Sequence, residues 1–113
     1  MKGEWMTKRH FMATHTWLND ETRDAVLEAS SSMTDVEFFA NLKTDKAETL
    51  AHWMGKEDFF FCHWYAIDEN AIFEALETAG LNELMVTMPS EMHRYVTTER
   101  LTGEKLLNPF AGD

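Results

Sequence analysis

The run Phe59-Phe60-Phe61-Cys62-His63-Trp64-Tyr65-Ala66-Ile67, nine residues closed by Asp58 and Asp68, constrains the fold more than any other part of the chain. It is short for a helix and rich in aromatics, and both properties point to a strand. Successive side chains of a strand leave on opposite sides. One side therefore carries Phe59, Phe61, His63 and Tyr65, and the other Phe60, Cys62, Trp64 and Ala66. Neither side suits water, so both need cover. In a chain of 113 residues, helices can cover one side, and a second copy of the protein is expected on the other.

That length makes a single domain over 1–113. Hydrophobic content of 44% with 27% charged residues excludes a disordered chain. The net charge of −10, from ten Lys and Arg against twenty Asp and Glu, argues against nucleic acid, which needs a basic face. A single cysteine, Cys62, excludes an intramolecular disulfide and reads as a small buried hydrophobe. No apolar run approaches the ~20 residues that cross a membrane, and the N-terminus lacks the apolar segment of a secretory signal. The expected compartment is the cytoplasm.

Residues 1–7 show no periodicity and read as an arm pinned by Trp5. Residues 8–18 alternate as a strand, with Phe11, Ala13, His15 and Trp17 on one face and His10, Met12, Thr14 and Thr16 on the other. Asn19-Asp20 offers a helix N-cap, and Glu21 suits the positive end of the helix dipole. Ala25, Val26, Ala29 and Met33 at helical spacing predict a helix over 20–31. Thr34-Asp35-Val36-Glu37 is a capping box, which opens a short helix over 35–42 that carries Phe38, Phe39 and Leu42 inward. After a polar loop at 43–47, residues 48–54 form a strand joined to the aromatic one by Gly55-Lys56-Glu57-Asp58.

The register of that hairpin decides which histidines meet. An even connection pairs 54 with 59, 52 with 61 and 50 with 63, and puts His52 and His63 on one face. An odd connection or a bulge puts His52 beside Cys62 instead. Asp68 caps the next helix, over 69–79, whose stripe of Ala71, Ile72, Ala75, Leu76 and Ala79 ends at Gly80. Residues 84–96 read as the last strand. Pro89 cannot donate to a ladder, so that strand belongs at an edge or a bulge. Residues 97–113 are a mostly polar tail, with Leu106, Leu107 and Phe110 expected to dock on the fold or on a partner.

Strand, helix, short helix, strand, strand, helix, strand is an α+β order: the ferredoxin-like β-α-β-β-α-β arrangement with one helical insertion. Helices on one sheet face leave the other apolar and open. Two such sheets pressed together make a homodimer of the dimeric α/β-barrel kind. The segment Phe61-Cys62-His63-Trp64-Tyr65-Ala66-Ile67-Asp68-Glu69-Asn70-Ala71, with Ala75, Ala79, Gly80 and Leu81, resembles the nickel-binding-protein-like family of small ferredoxin-like domains. That family has a strand ending in an aromatic, then Ala-x-Asp, then a helix closing at Ala-Gly. The resemblance implies the same fold and pairing. The capped helix at 35–42 and the histidine-rich strands depart from the family's pattern.

His15, His52, His63 and His93 all fall on predicted strands, with Glu91 two residues before His93. Neutral imidazole is the commonest nitrogen ligand of nickel, zinc, copper and iron, and neighbouring strands can bring such rings to one point. No compact metal motif of the H-E-x-x-H or C-x-x-C kind is present. The leading expectation is a cytoplasmic homodimer with a histidine-rich transition-metal site, in which the bound metal activates water or oxygen if the protein is an enzyme. The competing one is a metal-free enzyme or binding protein for a small organic molecule. Its pocket lies between sheet and helices and is walled by Trp17, Trp53, Trp64 and Tyr65, with a histidine as base. A purely structural dimer with core histidines is the third.

Overall fold

A computed structural model describes residues 7–112; the expected arm and Trp5 lie outside the described residues, apart from Thr7. The elements are β1 (Arg9–Trp17), α1 (Asp20–Ser30), α2 (Asp35–Asn41), β2 (Ala47–Met54), β3 (Phe59–Ala66), α3 (Glu69–Thr78) and β4 (Met85–Glu91). The chain is an α+β protein whose antiparallel sheet runs β2-β3-β1-β4. This order is compatible with the ferredoxin-like arrangement. No helix among the described residues is long and apolar enough to cross a membrane.

Each helix starts where its side chains supply a cap. Asn19 accepts from the Thr22 amide at 2.8 Å, Thr34 and Glu37 form a reciprocal box, and Asp68 accepts from the Ala71 amide at 2.8 Å. Such caps satisfy backbone donors that the first turn leaves open. Helix α3 buries Ala71, Ile72, Ala75 and Leu76. Full burial of a side chain the size of Ile72 or Leu76 contributes about 1.5–3 kcal/mol. Gly80 follows at φ 76°, the left-handed conformation that glycine adopts without a Cβ clash.

The core lies between the helices and one sheet face, built from Phe11, Ala13, Trp17, Phe60, Cys62, Trp64 and Met85, with Val26, Leu27 and Phe38 packed against it. The alternation read in β1 and β3 is observed: the members facing the helices are buried. The central strands are thus oriented by apolar pattern alone.

The β2–β3 hairpin departs from the expected register over half its length. Ala47, Glu48 and Thr49 pair with Ala66, Tyr65 and Trp64, as an even connection requires. Leu50 is then skipped, and Ala51, His52, Trp53 and Met54 oppose His63, Cys62, Phe61 and Phe60. Leu50 is the extra residue of a β-bulge on an edge strand, where bulges concentrate. Consequently His52 faces the helices with Cys62, and His63 faces the other way.

Strand β4 stops at Glu91 rather than 96, although the Met92 amide still donates to the His10 carbonyl at 2.8 Å. It is an edge strand, which accommodates Pro89. From Met92 to Gly112 every residue except Thr97 is exposed. Leu106, Leu107 and Phe110 are among them, so none of these docks on the chain's own fold.

Candidate functional site

The sheet divides the histidines into two groups. His15 and His52 face the helices. There a cavity of about 440 Å³ opens between the sheet and helices α1 and α2, lined by Trp17, Phe60 and Trp64 below and by Val26, Leu27 and Phe38 above. Its size and mainly apolar wall are those of a pocket for a small organic molecule.

His15 is 1% exposed and lines this cavity. Its ring stacks on Phe60 at 4.8 Å, and its Nδ1 lies 2.8 Å from the Thr87 hydroxyl oxygen. Its other nitrogen, Nε2, is buried without a hydrogen-bond partner. Burial, and then the charge that His52 would carry, pushes the His15 pKa down to about 4, so the ring is neutral at pH 7. Trp64 also lines the cavity, and its Nε1 is a second buried polar atom without a partner. Unsatisfied buried groups are costly, and these two belong to residues of one cavity wall.

His52 donates from Nδ1 to the Phe61 carbonyl oxygen at 3.2 Å, with Cys62 Sγ 3.5 Å from the same nitrogen. Burial lowers the His52 pKa, partly opposed by the bond to Phe61. Burial raises the Cys62 thiol to about 12. A thiol held that high beside a neutral imidazole has no thiolate to attack with, so the pair is not an activated nucleophile.

The second group lies on the open face. His63 Nε2 is 2.9 Å from His10 Nδ1, and the Tyr95 ring stands edge-on to His63 at 4.9 Å. Burial, and then the charge on His10, lowers the His63 pKa. His10 is the residue that sequence reasoning missed. The antiparallel register of β1 and β3 pairs it with Tyr65 and makes it the diagonal neighbour of His63.

The expected five-residue metal set is therefore dispersed. His15 and His52 lie on one side of the sheet and His63 on the other. His93 sits past the end of β4, 58% exposed, with its Nδ1 3.7 Å from Glu91. Glu91 itself is engaged at 2.6 Å by Arg9. The shift at Leu50 pairs His52 with Cys62 and turns it away from His63, and the β1–β3 register, which pairs His15 with Phe60, independently puts His15 on the face opposite His63. No group of three or more His, Cys, Asp or Glu side chains that could hold a metal occurs among the described residues. The aromatic wall divides in the same way. Trp17 and Trp64 line the helix-side cavity, whereas Trp53 and Tyr65 belong to the open face.

No protein-family model, curated protein or solved structure matches this chain.

Proposed function

We propose that the protein binds a small, mostly apolar organic molecule in the cavity between the sheet and helices α1 and α2. The carrying observation is the unpartnered Nε2 of His15, a residue that lines a mainly apolar cavity. A ligand with one polar atom satisfies that nitrogen while its body packs on Trp17, Phe60 and Trp64. A pKa near 4 makes His15 a hydrogen-bond acceptor or donor at neutral pH, according to tautomer, but a weak proton acceptor. Binding and orienting a ligand is accordingly the role it suits best. Untagged protein purified gently is expected to release such a molecule on denaturation, detected by mass spectrometry. His15→Leu, with unchanged circular dichroism, should lose it. Protein that carries none, and whose tryptophan fluorescence is unmoved by aromatic and short aliphatic acids and alcohols, would overturn the reading.

The open face supports a homodimer, since Val86, Met88, Trp53 and Phe59 are exposed there. A second reading, a transition metal on this face, is favoured by the 2.9 Å separation of His10 and His63. Two nitrogens each ~2.1 Å from one ion and at right angles to each other lie about 3 Å apart. Two rings from each copy would bring four imidazoles to a twofold axis, a donor set suited to nickel, zinc, copper or iron. Stoichiometric metal in untagged protein, lost in His63→Ala, is the expected result; metal-free protein that stays metal-free on titration with nickel and zinc removes this reading.

A further inference from the structure

We infer that residues 92–112 are an exchange arm that wraps the body of a second copy of this chain. The inference rests on the homodimer proposed above and goes beyond it, because it says what holds the two copies together.

Beyond Tyr95, whose ring stands on His63, the arm has shape without packing. Arg94 Nη1 donates to the Leu107 carbonyl at 3.0 Å, and Thr97 and Arg100 pair in a tight bridge. Between them they close residues 93–107 into a loop around a hollow of about 750 Å³ lined only by the loop itself. Compact loops of this kind are normally filled by their own side chains. Here the apolar ones point to no core: Leu101 is 80% exposed, Leu106 63% and Phe110 79%.

The dimensions agree. The radius of gyration is 15.6 Å, against about 13 Å for a compact chain of this length. The surface is 8347 Å², whereas a compact monomer of 13.1 kDa exposes roughly 6,400 Å². The difference, roughly 2,000 Å² per chain, would bury roughly 4,000 Å² across a pair. That falls in the range of obligate dimers. Ten extended residues span about 30 Å, comparable with the 28 Å shortest extent of the whole chain.

A second copy fits better than an unrelated partner because each chain carries both halves of the contact. The open sheet face offers Val86, Met88 and Trp53, and the arm offers Leu101, Leu106 and Phe110. Exchanging the two about a twofold axis satisfies both at once and closes the assembly. Charge agrees as well. The arm holds three of the ten cationic residues, Arg94, Arg100 and Lys105, and only two of the twenty acids, Glu99 and Glu104, so the rest of the chain is strongly acidic. A neutral-to-basic arm approaches that acidic body without the repulsion two bodies feel.

The test is the mass of the full chain and of three variants by sedimentation from 1 to 100 μM, with circular dichroism as the check on folding. The variants are a chain ending at Val96, the exposed-residue variant Leu106→Asp/Leu107→Asp, and Met88→Asp on the sheet. The full chain should be a dimer. The shortened chain and the Leu106→Asp/Leu107→Asp variant should keep their spectra and dimerise at least 100-fold more weakly. A photo-crosslinker at Phe110 should give products of dimer mass. If both arm variants dimerise like the full chain, or the crosslink stays within one chain, the arm inference is overturned while the dimer reading survives. Loss of the dimer in Met88→Asp would then locate the contact on the sheet alone. A full chain monomeric at 100 μM overturns both.

Discussion

The two faces of one sheet are built from the same few strands, yet they solve opposite problems. The face toward the helices holds Phe11, Ala13, Phe60, Cys62, Trp64 and Ala66 at 6% exposure or less, and the cavity under α1 and α2 has the buried imidazole of His15 in its lining. The other face carries Val86 and Met88 in the open and keeps its histidines in a mutual pair. Hydrophobic pattern alone does not tell these apart, because each face is apolar. What separates them is where the polar atoms go. On the helix face Nε2 of His15 has no hydrogen-bond partner among the described residues. On the open face His63 has satisfied itself with His10. The first is the site proposed for a ligand, and the second the surface proposed for a partner.

Truncating one large side chain on each face is the bluntest way to break this contrast. Trp64 is 0% exposed, and Trp64→Ala should destabilise the protein by about 3–5 kcal/mol. Val86 is 52% exposed in the single chain, and Val86→Ala should cost less than about 0.5 kcal/mol in a monomer. Urea unfolding at low and at high protein concentration measures both. Equal costs for the two at low concentration would mean that the faces are not distinct in the isolated chain.

Acid should strike the helix face first. The His15 pKa falls from 6.5 to about 4 in the folded protein, so between those values the unfolded chain binds a proton that the folded chain refuses. Stability is therefore complete above pH 6.5, declines as pH falls towards 4, and levels off below that. The loss assignable to His15 is about 3 kcal/mol. His52 and His63 are shifted in the same direction and add to the slope. Stability measured against pH for His15→Gln should show a shallower decline between 6.5 and 4. An unchanged decline would mean that His15 is not buried as a neutral ring.

The sequence made the helices and central strands readable for identifiable reasons. Asp68 and Gly80 bracket the α3 stripe with a cap and a stop, and Thr34 and Glu37 announce α2 in the same way. The period-2 alternation of Phe60, Cys62, Trp64 and Ala66 against Phe59, Phe61, His63 and Tyr65 orients β3 directly. Of the four aromatics expected to wall a pocket, Trp17 and Trp64 line the helix-side cavity and Trp53 and Tyr65 do not. The histidine set was not readable, because it depends on one skipped residue in β2 for His52 and on the β1–β3 register for His15. Leu50 is neither glycine nor proline, and nothing in Thr49-Leu50-Ala51 marks an interruption. The His10–His63 pair was equally hidden, since it needs the β1–β3 register, which only tertiary contact sets. The exposure of 92–112 could not be foreseen from polar composition interspersed with leucines, which suits a docked tail as well as a projecting one.

The bulge gives the smallest expected effect and the finest test of the two-face comparison. Thr49 pairs with Trp64 and Ala51 pairs with His63, so adjacent residues of β3 are matched by residues two apart in β2. Removing Leu50 would join Thr49 directly to Ala51 and leave every other pairing where it is. Thr49 would still face the helices, Ala51 the open side, and His52 the helices beside Cys62, in unbroken alternation. Leu50 is 45% exposed and contributes little to the core. Its deletion should therefore shift stability by less than about 1 kcal/mol, a combination of lost local twist and a healed ladder. The His52 imidazole should keep its depressed pKa, readable by proton NMR titration. Substituting Leu50 without deleting it leaves the bulge and should change neither. A deletion that unfolds the chain, or that returns the His52 pKa to its ordinary value, would show that the extra residue holds His52 on the helix face rather than merely interrupting the strand that carries it there.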